Sequence, residues 1–216
     1  MIQILAVLGV IGGILCATAD CLFDLKGADN IKQGVHKQID SKWDTMSPKR
    51  FLYSTILVMF AVPMYSCGVI ALMMKLHTTH QALALIIGGI FLFGAMGGIM
   101  IHTVLCLSPT IYKTIMKKSD FDLAEDVLMV IFKQISVPFF TQYAALVIVP
   151  AIAIMVLIIM GILPLPLWCV LLNPVVFQIV GLLLRATKCK IFIDAPSIFA
   201  ASLGLGMYGV LALMLV

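Results

Sequence analysis

The stretch from His80 to Lys113, HQALALIIGGIFLFGAMGGIMIHTVLCLSPTIYK, constrains this chain more than any other part of the sequence. It contains well over twenty nearly uninterrupted apolar residues. A helix needs about 20 such residues to cross a bilayer. Gly94, Gly98 and His102 recur within it at intervals of four, so they share one face of the predicted helix. Glycines at that spacing allow two helix backbones to approach closely. We therefore interpret this helix as the closely packed centre of a bundle.

The remaining apolar runs extend the same interpretation to the whole chain. Only 11% of its residues are charged, whereas a soluble domain carries about 25%. We predict an all-α integral membrane bundle of six transmembrane helices, with 1–216 as its single domain. An amphipathic helix is expected on the cytoplasmic surface over 119–136, where Ser119 and Asp122 form a capping box. The predicted spans are roughly 2–22, 51–74, 82–106, 138–161, 164–184 and 195–216.

The distribution of basic residues predicts how the bundle is oriented. Thirteen of the fourteen Lys and Arg residues fall in the first, third and fifth loops, and only Lys75 falls on the other side. Since cytoplasmic loops are enriched in Lys and Arg, these three loops should be cytoplasmic and both termini outside, in a plasma or inner membrane. The same bias accounts for the net charge of +4, so no nucleic-acid partner is expected. The expected partners are the lipid bilayer and a second copy or another membrane protein.

Ionisable residues at the inner ends of the first and third spans form the principal candidate site. Gly9 and Gly13 provide a small-residue face on the first span, and Asp20 and Asp24 continue that face at nearly helical spacing. Both spans run inward, so the two carboxylates should lie at a depth similar to that of His102. Ionisable side chains inside spans are costly and usually functional. We therefore predict one site from Asp20, Asp24 and His102, which would bind a substrate, an ion or a metal.

Two polar residues of later spans are further candidates for the same cavity. Gln142 lies in the cytoplasmic third of the fourth span, and Asn173 precedes Pro174 near the middle of the fifth. Such groups either line a cavity or bond a neighbouring helix. In the last span, Gly204 provides another small residue for close helix packing.

The loop over 25–50 has two interpretations. It contains Ile31, Val35 and Ile39 at fourfold spacing and Trp43, which suits the level of the lipid headgroups. It could fold over the cytoplasmic mouth, or be a solvated connector whose lysines reflect only the positive-inside bias.

Three stretches, ATADCLFDLKGADN, IHTVLCLSPTIY and LLNPVVF, resemble those of uncharacterised bacterial six-span membrane proteins that are grouped as a domain of unknown function. The resemblance implies a bacterial inner-membrane protein and brings no activity or site with it. No zincin HExxH, GxSxG or Walker loop is present, and no motif assigns a cofactor.

Three classes of function remain open at this point. The first is a small transporter-like or solute- or lipid-binding bundle with a polar site at the cytoplasmic side. The second is a non-catalytic accessory or scaffold subunit, for which the small-residue faces would suffice. The third is an intramembrane metal-dependent enzyme that modifies lipids, in which two acids and an imidazole would activate water.

Overall fold

The chain folds into a bundle of long apolar helices. The computed structural model describes residues 1–118, 120–189, 192 and 195–216. Helices are α1 Ile2–Asp24, α2 Pro48–His77, α3 Gln81–Met116, α4 Phe121–Tyr143, α5 Val149–Ile159, α6 Pro174–Ala186 and α7 Ala195–Met214. Among the described residues, five helical segments are long and apolar enough to cross a membrane, and Pro174–Ala186 is a shorter apolar helix. The predicted all-α membrane bundle is confirmed.

Glycines bring α1 into direct backbone contact with α2 and α7. A Cβ on Gly9 would lie 2.7 Å from the backbone nitrogen of Gly68, and one on Gly13 would lie 2.5 Å from the Cα of Gly206. Gly9 also approaches Gly209, so α1 and α7 run antiparallel and the two chain ends lie at the same end of the bundle. The opposite end carries the loop between α1 and α2, and we call it the hairpin end.

The centre of the bundle is α2, which corrects the prediction that the helix with Gly94 and Gly98 is central. Within its most apolar segment α2 is 56% buried, whereas α3 is 39% buried. The reason is position, since α2 packs against α1, α3 and α7. Gly94 does meet another backbone, that of Leu146, but the nearest atom to a Cβ on Gly98 would be a side-chain atom 3.5 Å away.

The predicted break between a surface helix over 119–136 and a span over 138–161 does not occur. Helix α4 runs through Pro138 and continues through a π-helical turn, Ala144–Ile148, into α5. A proline removes one backbone hydrogen bond without necessarily ending a helix. A second proline, Pro150, is the second residue of α5, just after the π turn. Asp120 caps α4 by accepting from the Leu123 amide, and the predicted capping residue Ser119 lies outside the described residues.

The predicted span over 164–184 is also divided. A short 3-10 turn, Leu167–Leu171, precedes the helix α6, which begins only at Pro174. Asn173 and Pro174 mark the division. The Asn173 side chain caps the start of α6, and Pro174 occupies the first turn, where proline is favoured. Irregular backbone at this depth is tolerated because Asn173 is 1% exposed and its polar atoms are paired.

The loop between α1 and α2 is folded, so it is not a solvated connector. It contains an antiparallel hairpin, β1 Lys32–Gln33 and β2 Ile39–Asp40, and a 3-10 turn, Ser41–Asp44. Trp43 and Ile39 are buried against Tyr112 of α3 and Leu128 of α4. Because α3 has 36 residues, it is about 54 Å long and extends beyond a hydrocarbon core of about 30 Å. The hairpin therefore packs on the projecting ends of α3 and α4.

Two charged side chains attach this loop to the helices. The guanidinium of Arg50 donates to the carbonyl oxygens of Leu22 at 3.0 Å, Cys21 at 3.2 Å and Leu25 at 2.9 Å, which satisfies the last carbonyls of α1. The carboxylate of Glu125 accepts from the His36 amide at 2.7 Å. A Cβ on Gly34 would lie 2.5 Å from the carboxyl carbon of Glu125, and Gly34 has a φ of +78°. Only glycine fits that position of the hairpin tip.

A buried ion-pair network holds the base of the hairpin. Asp40 has a side chain only 2% exposed; its Oδ2 accepts from Lys26 Nζ at 2.7 Å and from Lys32 Nζ at 3.0 Å. Its Oδ1 accepts from Asn30 at 2.7 Å. Burial alone would raise the pKa of Asp40, but the hydrogen bonds from Lys26 and Asn30 outweigh it and hold the pKa below its ordinary value.

Candidate functional site

A cavity of about 320 Å³ lies inside the bundle and contains most of the predicted site. Helix α3 packs on α4, and α6 packs on α7, with the cavity between these two pairs and its remaining wall on α1 and α2. Its polar lining consists of Cys16, Asp20, Tyr65, His102, Gln142, Tyr143, Gln178, Ser197 and Ser202. Among the described residues that line it there is no Lys or Arg.

Asp20 reaches this cavity from α1 on the face that packs against α7. Its Oδ2 accepts a hydrogen bond from the Ser202 hydroxyl at 2.5 Å. The close approach of Gly13 to Gly206, less than two turns away along each helix, is what brings the two side chains together. The Asp20 side chain is 19% exposed, so its second oxygen, Oδ1, remains available towards the cavity.

His102 faces Asp20 from α3. Its Nδ1 lies 3.9 Å from Asp20 Oδ1, and its Nε2 lies 2.8 Å from the Ser54 hydroxyl oxygen. The edge of the Phe23 ring packs on the imidazole, with ring centroids 5.8 Å apart. The structure thus brings together two of the three residues predicted to share a site.

The hydrogen bonds of Ser54 favour one tautomer of His102. The Ser54 hydroxyl has one proton and donates it to the Ala19 carbonyl oxygen at 2.7 Å. With that proton used, the Ser54 oxygen is an acceptor for His102, and this arrangement favours the tautomer with a proton on Nε2 and, in the neutral ring, a lone pair on Nδ1. That lone pair faces a carboxylate oxygen. The pair is electrostatically satisfied only when one proton, or a hydrogen-bond donor from a bound solute, lies between the two atoms.

Gln142 also lines the cavity, from the last turn of α4. Its side chain packs over Gly97, where a Cβ would lie 2.5 Å from Oε1. This amide oxygen is buried and accepts no hydrogen bond from any described residue. A buried acceptor without a partner costs about 1–3 kcal/mol; Gln142 Oε1 lies against Gly97 and is covered by it, so it does not face the cavity.

Asp24 and Asn173 do not belong to this cavity. Asp24 forms an ion pair with Lys26, beside the Asp40 network of the hairpin. Asn173 accepts from the amides of Val175 at 2.9 Å and Val176 at 3.0 Å and donates to Val170 at 2.6 Å. It packs under Gly204, whose Cβ would lie 2.9 Å from the Asn173 carbonyl carbon. Asn173 and Gly204 therefore serve the junction between α6 and α7.

The three predicted metal ligands are consequently not assembled. Without Asp24, the described residues that line the cavity include one carboxylate and one imidazole, whereas a bound metal usually takes three or four protein ligands. The part of the chain that the structure describes contains no group of three or more His, Cys, Asp or Glu residues placed to hold a metal ion.

Three contributors to the site carry no signal in the sequence. Ser54 and Ser202 are single serines inside apolar runs, and Tyr65 follows Pro63 in the interior of α2. Serine in a transmembrane helix is usually a small packing residue. Their roles depend on contacts with helices distant in the sequence, and no local pattern could have identified them.

These features define a class of protein: a multi-pass helical membrane protein with a polar cavity built around an Asp–His pair. A family model covers residues 1–216, and the chain belongs to that family of unknown function, DUF6796. Searches of curated proteins and of solved structures gave no match to the chain.

Proposed function

We propose that this protein is a small membrane carrier or solute-binding bundle whose binding site is the cavity between the α3–α4 and α6–α7 pairs, with α1 and α2 as its remaining wall. One observation carries the proposal: Asp20 and His102 face each other, 3.9 Å apart, on the wall of a cavity of about 320 Å³. Small-molecule sites have volumes of about 300–1,000 Å³. Two ionisable groups inside an apolar bundle are costly to retain unless a solute or proton uses them.

Departures from regular helix surround the cavity and support a carrier. The π turn of the long helix contacts Gly94, and both Leu146 and Val147 of this turn line the cavity. Helix α6, which contributes Gln178 to the cavity wall, begins at Pro174 after an irregular segment. Single π turns and interrupted helices are sites at which membrane helices bend, and carriers bend or rock helices around a fixed site.

The distribution of basic residues supports an orientation for the carrier. The hairpin end carries the loops richest in Lys and Arg, so we place it in the cytoplasm. Asp20 lies four residues before the end of α1 at Asp24, about 6 Å along the helix axis. The site would then lie nearer the cytoplasmic face, with both termini outside.

The competing classes make different demands on the same residues. A metal-dependent lipid-modifying enzyme needs a further ligand, and Asp24 is engaged by Lys26. An accessory subunit needs no cavity that water or solute can reach. Access to the cavity is therefore the property to measure.

The experiment uses a reporter thiol at position 201, introduced as Ala201→Cys into a chain whose six native cysteines are replaced. Ala201 lines the cavity, whereas Ala212 on the same helix is 0% exposed and provides the matched control. A carrier must expose its site alternately to both faces. Membrane-impermeant thiol reagents should therefore modify position 201 in both right-side-out and inside-out vesicles, and leave Ala212→Cys unmodified. Modification from one face only would overturn the carrier and leave a solute-binding bundle; modification from neither face would overturn both in favour of an accessory subunit.

A further inference from the structure

We propose that the cavity is a site for a small organic ammonium ion, which enters in exchange for the one proton held between Asp20 and His102. This inference rests on the proposed carrier function and names the chemical class of its solute. It follows from the donors, acceptors and charges on the cavity wall.

Two open positions on the wall are hydrogen-bond acceptors. Asp20 Oδ1 lies free of the Ser202 bond, and His102 Nδ1 carries a lone pair when Nε2 donates to Ser54. A primary ammonium presents three N–H donors, enough to bond both acceptors. The carboxylate of an anionic solute would instead meet the Asp20 carboxylate and the Nδ1 lone pair, which repel it.

Charge and shape favour the same solute. Asp20 is the one acid among the described lining residues, and none of them is a Lys or Arg. Arg185 of α6 donates to the hydroxyl of one lining residue, Ser197, at 3.3 Å. Tyr65, Phe139 and Tyr143 place aromatic rings on the wall, and aromatic faces attract cations. The cavity is much larger than a bare inorganic cation, and most of its remaining lining is aliphatic. This combination fits an ammonium group attached to a small apolar body.

The exchange balances in charge. In the resting site one proton lies on Asp20 or on His102, so the pair has no net charge. When the ammonium enters, that proton leaves to water; Asp20 becomes or remains a carboxylate, His102 becomes or remains neutral, and the ammonium supplies the positive charge. Other titratable groups on the wall are Cys16 of α1, Tyr65 of α2 and Tyr143 of α4. Arg50 and the Asp24–Lys26 pair are held at the hairpin end.

The test first compares two methanethiosulfonate reagents of matched length, one ending in an ammonium and one in a sulfonate, at the position 201 thiol. Relative to free cysteine, the cationic reagent should be favoured by about tenfold or more, because charges a few ångströms apart in a site of intermediate dielectric attract strongly. Asp20→Asn should abolish the preference, and Asp29→Asn, at an exposed loop carboxylate, should leave it unchanged. Equal reactivity of the two reagents from both faces would leave the carrier standing and overturn the ammonium site.

The second arm counts protons. Ethylammonium and benzylammonium are titrated calorimetrically into the purified protein in two buffers of different ionisation enthalpy. One proton should be released for each amine bound, and none in Asp20→Asn. Sodium and tetramethylammonium, which lack N–H donors, should not compete. Binding without proton release would overturn the proton exchange. Competition by tetramethylammonium or sodium would overturn recognition of the ammonium through its N–H donors. If neither amine binds, the whole inference is wrong.

Discussion

Two glycines on one face of α3, a single helical turn apart, should respond oppositely to the same substitution. In Gly94→Ala the new Cβ would lie 2.5 Å from Leu146 N, 2.7 Å from Leu146 Cα and 2.8 Å from the Ala145 carbonyl carbon. In Gly98→Ala it would lie 3.5 Å from Leu146 Cδ2 and 3.8 Å from the Tyr65 hydroxyl. The first set of atoms is rigid backbone of the π turn, and the second is ordinary side-chain contact.

The magnitude follows from these distances. Optimal carbon contacts are about 3.5–4.0 Å, so α3 and the π turn must separate by about 1 Å to admit the methyl group of Gly94→Ala. Overpacking costs about 1–3 kcal/mol, and alanine recovers about 0.5–1 kcal/mol because it loses less backbone entropy in a helix. The balance is a net loss of up to about 2.5 kcal/mol, which should lower the melting temperature by up to about 10 °C for a chain of this size. Gly98→Ala keeps only the favourable contribution.

The assay is thermal unfolding of both variants in one detergent, followed by near-UV circular dichroism, after size-exclusion chromatography has established that each is monodisperse. Gly94→Ala should melt below the parent protein, and Gly98→Ala at or above it. Equal shifts for the two variants, or a larger loss in Gly98→Ala, would refute the placement of the π turn against Gly94.

Three further predictions concern the hairpin end. The pKa of Asp40 is held below its ordinary value, so its stabilising contribution is full above the unfolded pKa of about 3.9 and is lost as the pH falls through the lower folded pKa; the protection of amides 32–40 from hydrogen exchange, relative to the intrinsic rate at each pH, should therefore fall only below about pH 4. Arg50→Ala should speed exchange at the end of α1 and cost about 1–3 kcal/mol, while Lys49→Ala, an exposed neighbour, should have no effect. Gly34→Ala should detach the hairpin tip and make it a site of limited proteolysis, and an intact, protease-resistant tip would contradict the contact described.

Sequence patterning identified the elements whose physics is local. Long apolar runs predict membrane helices because length and hydropathy alone decide them, and the similar depths of Asp20 and His102 follow from the antiparallel order of the spans. Asp24 illustrates the limit of that reasoning. It lies one turn from Asp20, yet a helix face is wide enough for the two to diverge, and Lys26 draws it towards the hairpin.

Other features depend on which neighbour a side chain meets. Pro138 has the residue type of a helix start, but the helix continues through it, which the residue type alone does not decide. Gly97 and Gly98 are equivalent in the sequence, yet Gln142 packs closely over Gly97, whereas Gly98 has only ordinary contacts with the side chains of Leu146 and Tyr65. From its position in the sequence Asn173 could equally have lined the cavity. In the structure its side-chain oxygen instead accepts from an amide in the first turn of α6.

The contact between the first and last helices has a consequence for how the protein is made. Asp20 enters the membrane early in synthesis, but the Ser202 hydroxyl that binds it is added 182 residues later. Until then the Asp20 carboxyl group lies in or near lipid, and its insertion free energy is unfavourable by about 2.5–3.5 kcal/mol if it is ionised. The glycine face beside it on α1 also lacks its packing partner, α7. The nascent chain therefore passes most of its synthesis as an unclosed bundle. Ribosome-bound intermediates should need an insertase or chaperone to shelter the first helix, and release of the completed carboxyl-terminal helix should be the event that ends that need.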